Sequence, residues 1–219
     1  MDRTLEPELM DEAEQAAAYA AADFAEVNQG FVDRFLAFAP GLTAGEVVDL
    51  GCGPADICLR LARARPGLRI TGVDAAEAML GHGRAAVTGA GLGGAIELVR
   101  ARLPGVLAGR QFDAVLSNSL LHHLPDPAVL WADIARLARP GAPILVVDLM
   151  RPATPEAARA LVDEHAAGEA GVLRHDFLAS LRAAFTPAEV AGQLAAAGLR
   201  LQVAPITDRH LAIWGHAGF

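Results

Sequence analysis

The sequence predicts an α/β domain built on a doubly wound parallel sheet of seven strands. From residue 46 onward, short apolar runs alternate with segments of helical periodicity, a pattern typical of sheets covered by helices on both faces. Polar residues stand at the ends of four of these runs, at Asp49, Asp74, Asn118 and Asp148. Because ligands bind beyond the carboxyl ends of parallel strands, these four side chains are expected to line one crevice.

The individual elements follow from local signals in the sequence. Strands are predicted at 46–50, 68–73, 95–100, 112–117, 143–149, 200–204 and 209–215, and helices near 55–65, 76–88, 126–139 and 187–198. Asp126 and Pro127 supply a cap and a first helical residue. The segment from Thr186 to Glu189 is a capping box with Pro187 at its first helical position, and Gly198 ends that helix.

Two segments lie outside this alternation. Residues 11–39 are rich in alanine and place four apolar side chains on one helical face, namely Val27, Phe31, Phe35 and Phe38. This pattern predicts that residues 1–40 form a helical cap, packed on the core, ahead of the domain at 41–219. Residues 151–186 break the rhythm of strands and helices, so we expect a helical insertion after the fifth strand, on the substrate side of the crevice.

Composition limits the classes of partner. The chain has 219 residues and a net charge of −8, and phosphate backbones require a basic surface, so nucleic acid is not an expected partner. Two cysteines form neither a disulfide framework nor a zinc site. The first residues lack a secretory signal, and no apolar run reaches the roughly 18 residues of a membrane span. A cytoplasmic location is therefore expected.

The turn after the first strand carries the main chemical signal. Gly51 and Gly53 follow Asp49, and Asp74 stands about twenty residues later, at the spacing used for a ribose hydroxyl. A dinucleotide fingerprint would require a third glycine where Asp56 stands. A pyrophosphate would also face the nearby carboxylate of Asp49, and that repulsion is costly in a partly desolvated cleft. S-adenosylmethionine (SAM), with its ammonium, sulfonium and ribose, suits these residues better.

These motifs resemble those of class I SAM-dependent methyltransferases. The residues that carry the likeness are 49–55, Val73 and Asp74, 112–118, and 121–124. The resemblance is to small-molecule enzymes of methyltransferase type 11/12, a group that includes enzymes of quinone biosynthesis, and it covers residues 46–150 best. It implies a Rossmann-like, mostly parallel sheet whose last strand is antiparallel.

The resemblance also implies a set of cofactor-binding residues. The Gly51–Gly53 turn would hold the aminocarboxypropyl end of SAM, Asp74 the ribose, and Tyr19, Asp23 and Phe24 would belong to a lid. The full cofactor set comprises Tyr19, Asp49, Gly51, Cys52, Gly53, Asp74, Ala75, Met79, Ala101, Arg102, Ser117 and Asn118. Family members often carry an acid for the adenine after the third strand, where this chain has Arg100.

Three residues are candidates for catalysis: His122, His123 and Arg151. A histidine after the fourth strand suits a general base, or it caps the following helix. The resemblance suggests a structural role for His123, which leaves His122 as the freer group. No metal site is expected, because no third ligand recurs beside the pair at a suitable spacing. Arg151 either forms a salt bridge with Asp148 or binds an anionic group of the acceptor.

The sequence therefore predicts in-line transfer of a methyl group from SAM to a small-molecule acceptor, which is anionic if Arg151 binds it. A non-catalytic SAM-binding or scaffold protein remains an alternative, because Arg100 stands where adenine recognition is expected. An NAD-dependent oxidoreductase is a second alternative, disfavoured by Asp49 and the missing third glycine. A homodimer is left open.

Overall fold

The computed structural model of the chain describes residues 1–6, 24–169 and 171–218. Its strands are β1 (Ala44–Leu50), β2 (Gly67–Asp74), β3 (Ile96–Arg100), β4 (Ala114–Asn118), β5 (Pro143–Leu149), β6 (Gln202–Pro205) and β7 (His210–His216). Its helices are α1 (Ala25–Phe38), α2 (Asp56–Ala64), α3 (Glu77–Gly89), α4 (Ala128–Leu137), α5 (Pro155–His165), α6 (Gly171–Ala183) and α7 (Pro187–Ala196). A short 3₁₀ helix spans Leu121–His123.

The seven strands form one sheet in the order β3-β2-β1-β4-β5-β7-β6. Strands β1 to β5 pair in parallel, and β7 runs antiparallel to both β5 and β6. The predicted fold class, a mostly parallel seven-stranded sheet with an antiparallel last strand, is confirmed. The order of strands reverses between β1 and β4, and in such sheets the crevice at this switch point receives ligands.

The central strands are buried because helices cover both faces of the sheet. Six of the seven residues of β5 are buried, as expected for a parallel strand between two helical layers. One layer packs Phe31 and Phe35 of α1 with residues of α2 and α3. The other packs Trp131 of α4 with residues of α7. This double covering holds the strand ends in fixed positions around the crevice.

The helix starts and helix faces predicted from the sequence mostly agree with the structure. Thr186 and Glu189 form the predicted capping box, whereas α4 begins at Ala128, whose amide donates to Asp126 Oδ1 at 3.0 Å. Val27 does not join the buried face of α1: it is 40% exposed and faces a cavity. The insertion expected at 151–186 contains two helices, α5 and α6.

The N-terminal cap is described only from residue 24 onward, apart from residues 1–6. Tyr19 and Asp23, two of the expected lid residues, lie outside the described residues. Across 1–6, 24–169 and 171–218, no helix combines the length and hydropathy that a bilayer crossing requires.

Candidate functional site

Two adjoining cavities open at the carboxyl ends of β1, β2 and β4. The one that extends over more of the described residues is called the larger cavity and the other the smaller cavity. Each has a volume of a few hundred Å³, within the usual range for sites that hold small ligands. Five residues line both: Phe24, Asn28, Gly51, Gly53 and Asn118. The glycine turn after β1 therefore lies at the junction of the two cavities.

The two glycines of this turn are required for different reasons. Gly51 has φ +77°, and a Cβ there would lie 2.9 Å from the Cβ of Leu120. Packing against Leu120 therefore excludes a side chain at this position. Gly53 has φ +52°, and nothing lies within 4 Å of the position its Cβ would take. The open space beside Gly53 is the cavity itself, so this glycine leaves room for a ligand to approach the backbone.

Asp74 links the glycine turn to the end of β2. Its Oδ2 accepts a hydrogen bond from the Gly53 amide at 2.8 Å, and its Oδ1 accepts one from the Ala76 amide at 2.9 Å. Burial raises the pKa of Asp74, and the backbone amides only partly offset that effect. The carboxylate borders the larger cavity. Each oxygen retains a lone pair there, as hydrogen bonds from ribose hydroxyls would require.

Asp49 lies beneath the turn and is 1% exposed. Cys58 Sγ donates to its Oδ2 at 3.4 Å, while its Oδ1 has no hydrogen-bond partner among the described residues. Burial raises the pKa of Asp49 to about 7, and the charge of Asp74 acts in the same direction. This carboxylate borders the smaller cavity. It is a buried acid that a cation would stabilise.

Of the remaining residues of the predicted cofactor set, most line a cavity, one is buried between strands, and one lies outside the described residues. Ala75, Met79, Ala101, Arg102 and Asn118 line the larger cavity, and Cys52 lines the smaller one. Ser117 is fully buried and does not line either cavity: its hydroxyl donates to the Leu50 carbonyl at 2.8 Å, holding β4 against β1. Tyr19 is outside the described residues.

The structure reverses the expected exposure of the two histidines. His122 is 3% exposed, and its Nδ1 lies 2.6 Å from Asp148 Oδ1, whereas the side chain of His123 is 14% exposed. The burial of His122 tends to lower its pKa, but the charge and hydrogen bond of Asp148 outweigh burial and raise it. Both histidines line the larger cavity. His122, predicted as the freer group, is instead the buried and anchored one.

Glu6 completes this polar cluster, although sequence reasoning did not identify it. Its Oε1 lies 3.0 Å from His123 Nδ1 and 3.4 Å from His122 Nε2. Burial tends to raise the pKa of Glu6, but the adjacent imidazoles lower it. Arg3 anchors the segment: its guanidinium donates to the carbonyls of His122 and Leu124 at 3.0 and 2.8 Å. No motif connects these N-terminal residues with β4, so no sequence signal could have identified Glu6.

Arg151 does not reach either cavity. Its guanidinium donates to the Ala184 carbonyl at 3.0 Å and to Glu189 Oε1 at 2.6 Å, and its side chain is 7% exposed. The expected salt bridge to Asp148 is wrong, since Asp148 is engaged by His122 and by the Leu121 amide. Arg151 instead ties the end of β5 to α7.

Residues of the insertion after β5 line one end of the larger cavity. Helix α6 contributes Asp176, Phe177 and Ser180 to its lining, and Arg209 and His210 contribute from the start of β7. Burial and the charge of Arg209 lower the pKa of His210 to about 4. At neutral pH, Arg209 therefore supplies the positive charge at this end and His210 does not.

Comparisons with known proteins agree with this architecture. A family model described as a methyltransferase domain matches residues 48–146. The chain is 31% identical over 128 residues to a trans-aconitate 2-methyltransferase of Azoarcus sp., covering 58% of this chain and 48% of the relative. It is 33% identical over 110 residues to a ubiquinone biosynthesis O-methyltransferase of Stutzerimonas stutzeri, covering 50% and 47%. The chain thus spans about half the length of these two relatives.

A solved structure shares nearly the whole fold. A SAM-dependent methyltransferase from Aquifex aeolicus superimposes with a TM-score of 0.71 at 15% identity, covering 94% of this chain and 99% of that one. The family model matches the segment from β1 to β5, which contains the glycine turn, Asp74 and the two histidines. Residues 48–146 thus match a methyltransferase domain in sequence, and the chain shares its fold with a SAM-dependent methyltransferase.

Proposed function

We propose that the protein binds SAM and transfers its methyl group to a small-molecule acceptor. The observation that carries this proposal is the open face of Gly53 beside the carboxylate of Asp74, at the junction of the two cavities. The ribose hydroxyls of SAM would bind Asp74, with Ala101 and Arg102 beside the base. Its ammonium group would lie beyond the turn, in the smaller cavity that Asp49 borders.

The acceptor would occupy the part of the larger cavity that the insertion covers. Methyl transfer from a sulfonium requires exclusion of water and an in-line approach more than strong acid–base catalysis. Leu120, Leu124 and Phe177 supply apolar walls, while His123 presents a polar group. In this proposal His123 contacts the acceptor, and the buried pair of His122 and Asp148 positions it.

The names of the relatives suggest where to search for acceptors. Trans-aconitate is a polycarboxylate, and Arg209 gives this chain a cation at the acceptor end of the cavity. A panel of carboxylic acids, together with intermediates of ubiquinone biosynthesis, would test the acceptor class. The assay is release of S-adenosylhomocysteine from SAM in the presence of each compound.

Calorimetric titration with SAM, S-adenosylhomocysteine and NADH tests the cofactor. We expect saturable binding of both adenosyl compounds and none of NADH. Binding of NADH alone would support an oxidoreductase and overturn the proposal. SAM binding without turnover of any acceptor would support the non-catalytic alternative, which the Arg100 position motivates.

A further inference from the structure

Among the described residues, three side chains able to bind a metal converge beside the larger cavity. They are Glu6, from the N-terminal segment, and His122 and His123, from the 3₁₀ helix after β4. Their ligand atoms all lie within 4.8 Å of one another. The two imidazole rings face each other at a centroid separation of 4.1 Å. Neither α1 nor the glycine turn contributes to this cluster.

The distances within the cluster fit a shared cation. Glu6 Oε1 is 3.0 Å from His123 Nδ1 and 3.4 Å from His122 Nε2. Metal bonds of about 2.0–2.2 Å to imidazole nitrogen and carboxylate oxygen place neighbouring donor atoms about 3.0–3.4 Å apart. Within the part of the chain that the structure describes, Glu6 Oε1 and His123 Nδ1 are also buried without a hydrogen bond of acceptable geometry. Buried polar atoms in this state require an explanation, and a cation between them supplies one.

The outer contacts of the cluster are those that a metal site requires. His122 Nδ1 is held by Asp148 Oδ1 at 2.6 Å, which turns Nε2 toward Glu6. A carboxylate behind a ligating histidine fixes its tautomer and orientation. Asp148 is fixed in turn through its Oδ2, which accepts from the Leu121 amide at 2.7 Å. The second oxygen of Glu6 accepts from the Ser180 hydroxyl at 3.1 Å.

With three protein ligands in 1–6, 24–169 and 171–218, part of a coordination shell stays open. Because His122 and His123 line the larger cavity, the open positions would face the acceptor. Sites of this kind are catalytic, whereas structural sites have four protein ligands. Two imidazoles and one carboxylate favour divalent first-row transition metals over Mg²⁺ and Ca²⁺, which prefer all-oxygen ligands.

We propose that Glu6, His122 and His123 bind a divalent transition metal whose open positions hold an oxygen donor of the acceptor. The assignment of the acceptor rests on the proposed methyltransferase function, whereas metal binding itself does not. This site could not be expected from the sequence, because Glu6 lies 116 positions before His122 in the chain.

Titration of the metal-free protein with Co²⁺ tests the site, because the visible absorption of Co²⁺ reports both its ligands and its coordination geometry. We expect saturable 1:1 binding by the wild type, with nitrogen and oxygen ligands. His123→Ala and Glu6→Gln are each expected to abolish it. Asp148→Asn, which alters only the outer contact, is expected to weaken binding about 10–100-fold.

His165→Ala is the matched control. His165 belongs to a second, exposed group with Glu164 and Asp208 that could also hold an ion. Its substitution should leave Co²⁺ binding unchanged. Thermal unfolding of every variant, without metal, establishes that each one is folded.

Two outcomes would overturn the proposal: no saturable Co²⁺ binding by the wild type, or binding that is lost in His165→Ala and retained in His123→Ala. SAM titration of the same samples separates this failure from failure of the proposed function. A protein that binds SAM without Co²⁺ retains the function and loses the metal site. A protein that binds Co²⁺ without SAM retains the metal site and loses the function.

Discussion

The two ends of the crevice, the proposed cofactor end and the proposed acceptor end, are built in opposite ways. At the cofactor end, Gly53 and Asp74 lie 21 positions apart and are joined by one hydrogen bond from amide to carboxylate. At the acceptor end, Glu6 meets histidines more than a hundred positions away, and helix α6 covers them. The first end is made of backbone and short loops, whereas the second is made of side chains from distant segments.

The two ends therefore differ in how freely their residues can be substituted. A turn fixed by backbone geometry accepts few substitutions, so it suits a ligand that stays the same. Side chains from an N-terminal segment and an insertion can change without disturbing the sheet, so they suit a ligand that differs between proteins. The comparison predicts that substitutions at the cofactor end affect SAM binding, whereas those at the acceptor end affect only acceptor turnover.

Asp74→Ala is expected to have the largest effect on SAM binding. The substitution removes the proposed ribose contact and also frees the Gly53 and Ala76 amides. We expect a loss of roughly 1–3 kcal/mol in SAM affinity, measured by calorimetry. Asp126→Ala is the control, since it removes a carboxylate that also accepts a backbone amide but lies outside both cavities. Equal affinities for wild type and Asp74→Ala would remove Asp74 from the site.

Gly53→Ala tests whether the open face of the turn receives a ligand. The new methyl group meets no protein atom within 4 Å, so any steric effect beyond backbone strain must come from the ligand. Gly91→Ala is the matched control, because Gly91 has a similar positive φ of +68° and open surroundings away from the cavities. We expect both variants to lose similar stability, and only Gly53→Ala to lose about 1–2 kcal/mol of SAM affinity. Parallel behaviour of the two variants would mean that no ligand approaches Gly53.

The contrast between a backbone turn and side chains from distant segments also explains how much of each end could be predicted from the sequence. Asp49, the glycine turn and Asp74 lie within a single β-α-β unit, so their spacing alone placed them together. Ser117 shows the limit of such reasoning, because its position at the end of β4 was correct but its side chain turns inward to Leu50.

The acceptor end was predicted only in outline. The insertion was expected on the substrate side of the crevice; its helix α6 lines one end of the larger cavity, and the role of that end stays a prediction. The position of Glu6 beside the histidines and the contact of Arg151 with α7 depend on tertiary packing that no local pattern encodes. Adjacent histidines gave no indication of which one Asp148 would hold, because β5 brings that carboxylate from 26 positions away.

The pH dependence of SAM binding tests the role of Asp49. Its pKa is raised from 3.8 to about 7, so between those values the unfolded chain carries the charge and the folded one retains the proton. Ionisation of the unfolded state therefore lowers stability as pH rises through this window. The cationic SAM favours the ionised carboxylate, so affinity is expected to rise about tenfold from pH 5.5 to 7.5. In Asp49→Asn the calorimetric affinity should be flat over this range, and a slope like that of the wild type would contradict the assignment.

Arg209→Ala tests whether the acceptor is anionic. Its guanidinium is bound by Asp208 at 2.9 Å and borders the acceptor end of the cavity. With an acidic acceptor from the panel, we expect a higher KM, equivalent to about 1 kcal/mol, with unchanged affinity for SAM. An unchanged KM would indicate that the acceptor is neutral or that its charge lies elsewhere.

Arg151→Ala is expected to have the smallest effect on activity. It tests whether a residue that follows β5 in the sequence also takes part in the site. The guanidinium is occupied by the Ala184 carbonyl and Glu189, so the substitution should lower the free energy of unfolding by about 1 kcal/mol and leave KM and kcat unchanged. Glu189→Gln weakens the same contact from the other side and should give a similar loss in urea unfolding. If Arg151→Ala instead raised KM at unchanged stability, the arginine would have to leave Glu189 and enter the cavity when the acceptor binds. The acceptor end would then rearrange on binding, in contrast to the backbone turn at the cofactor end.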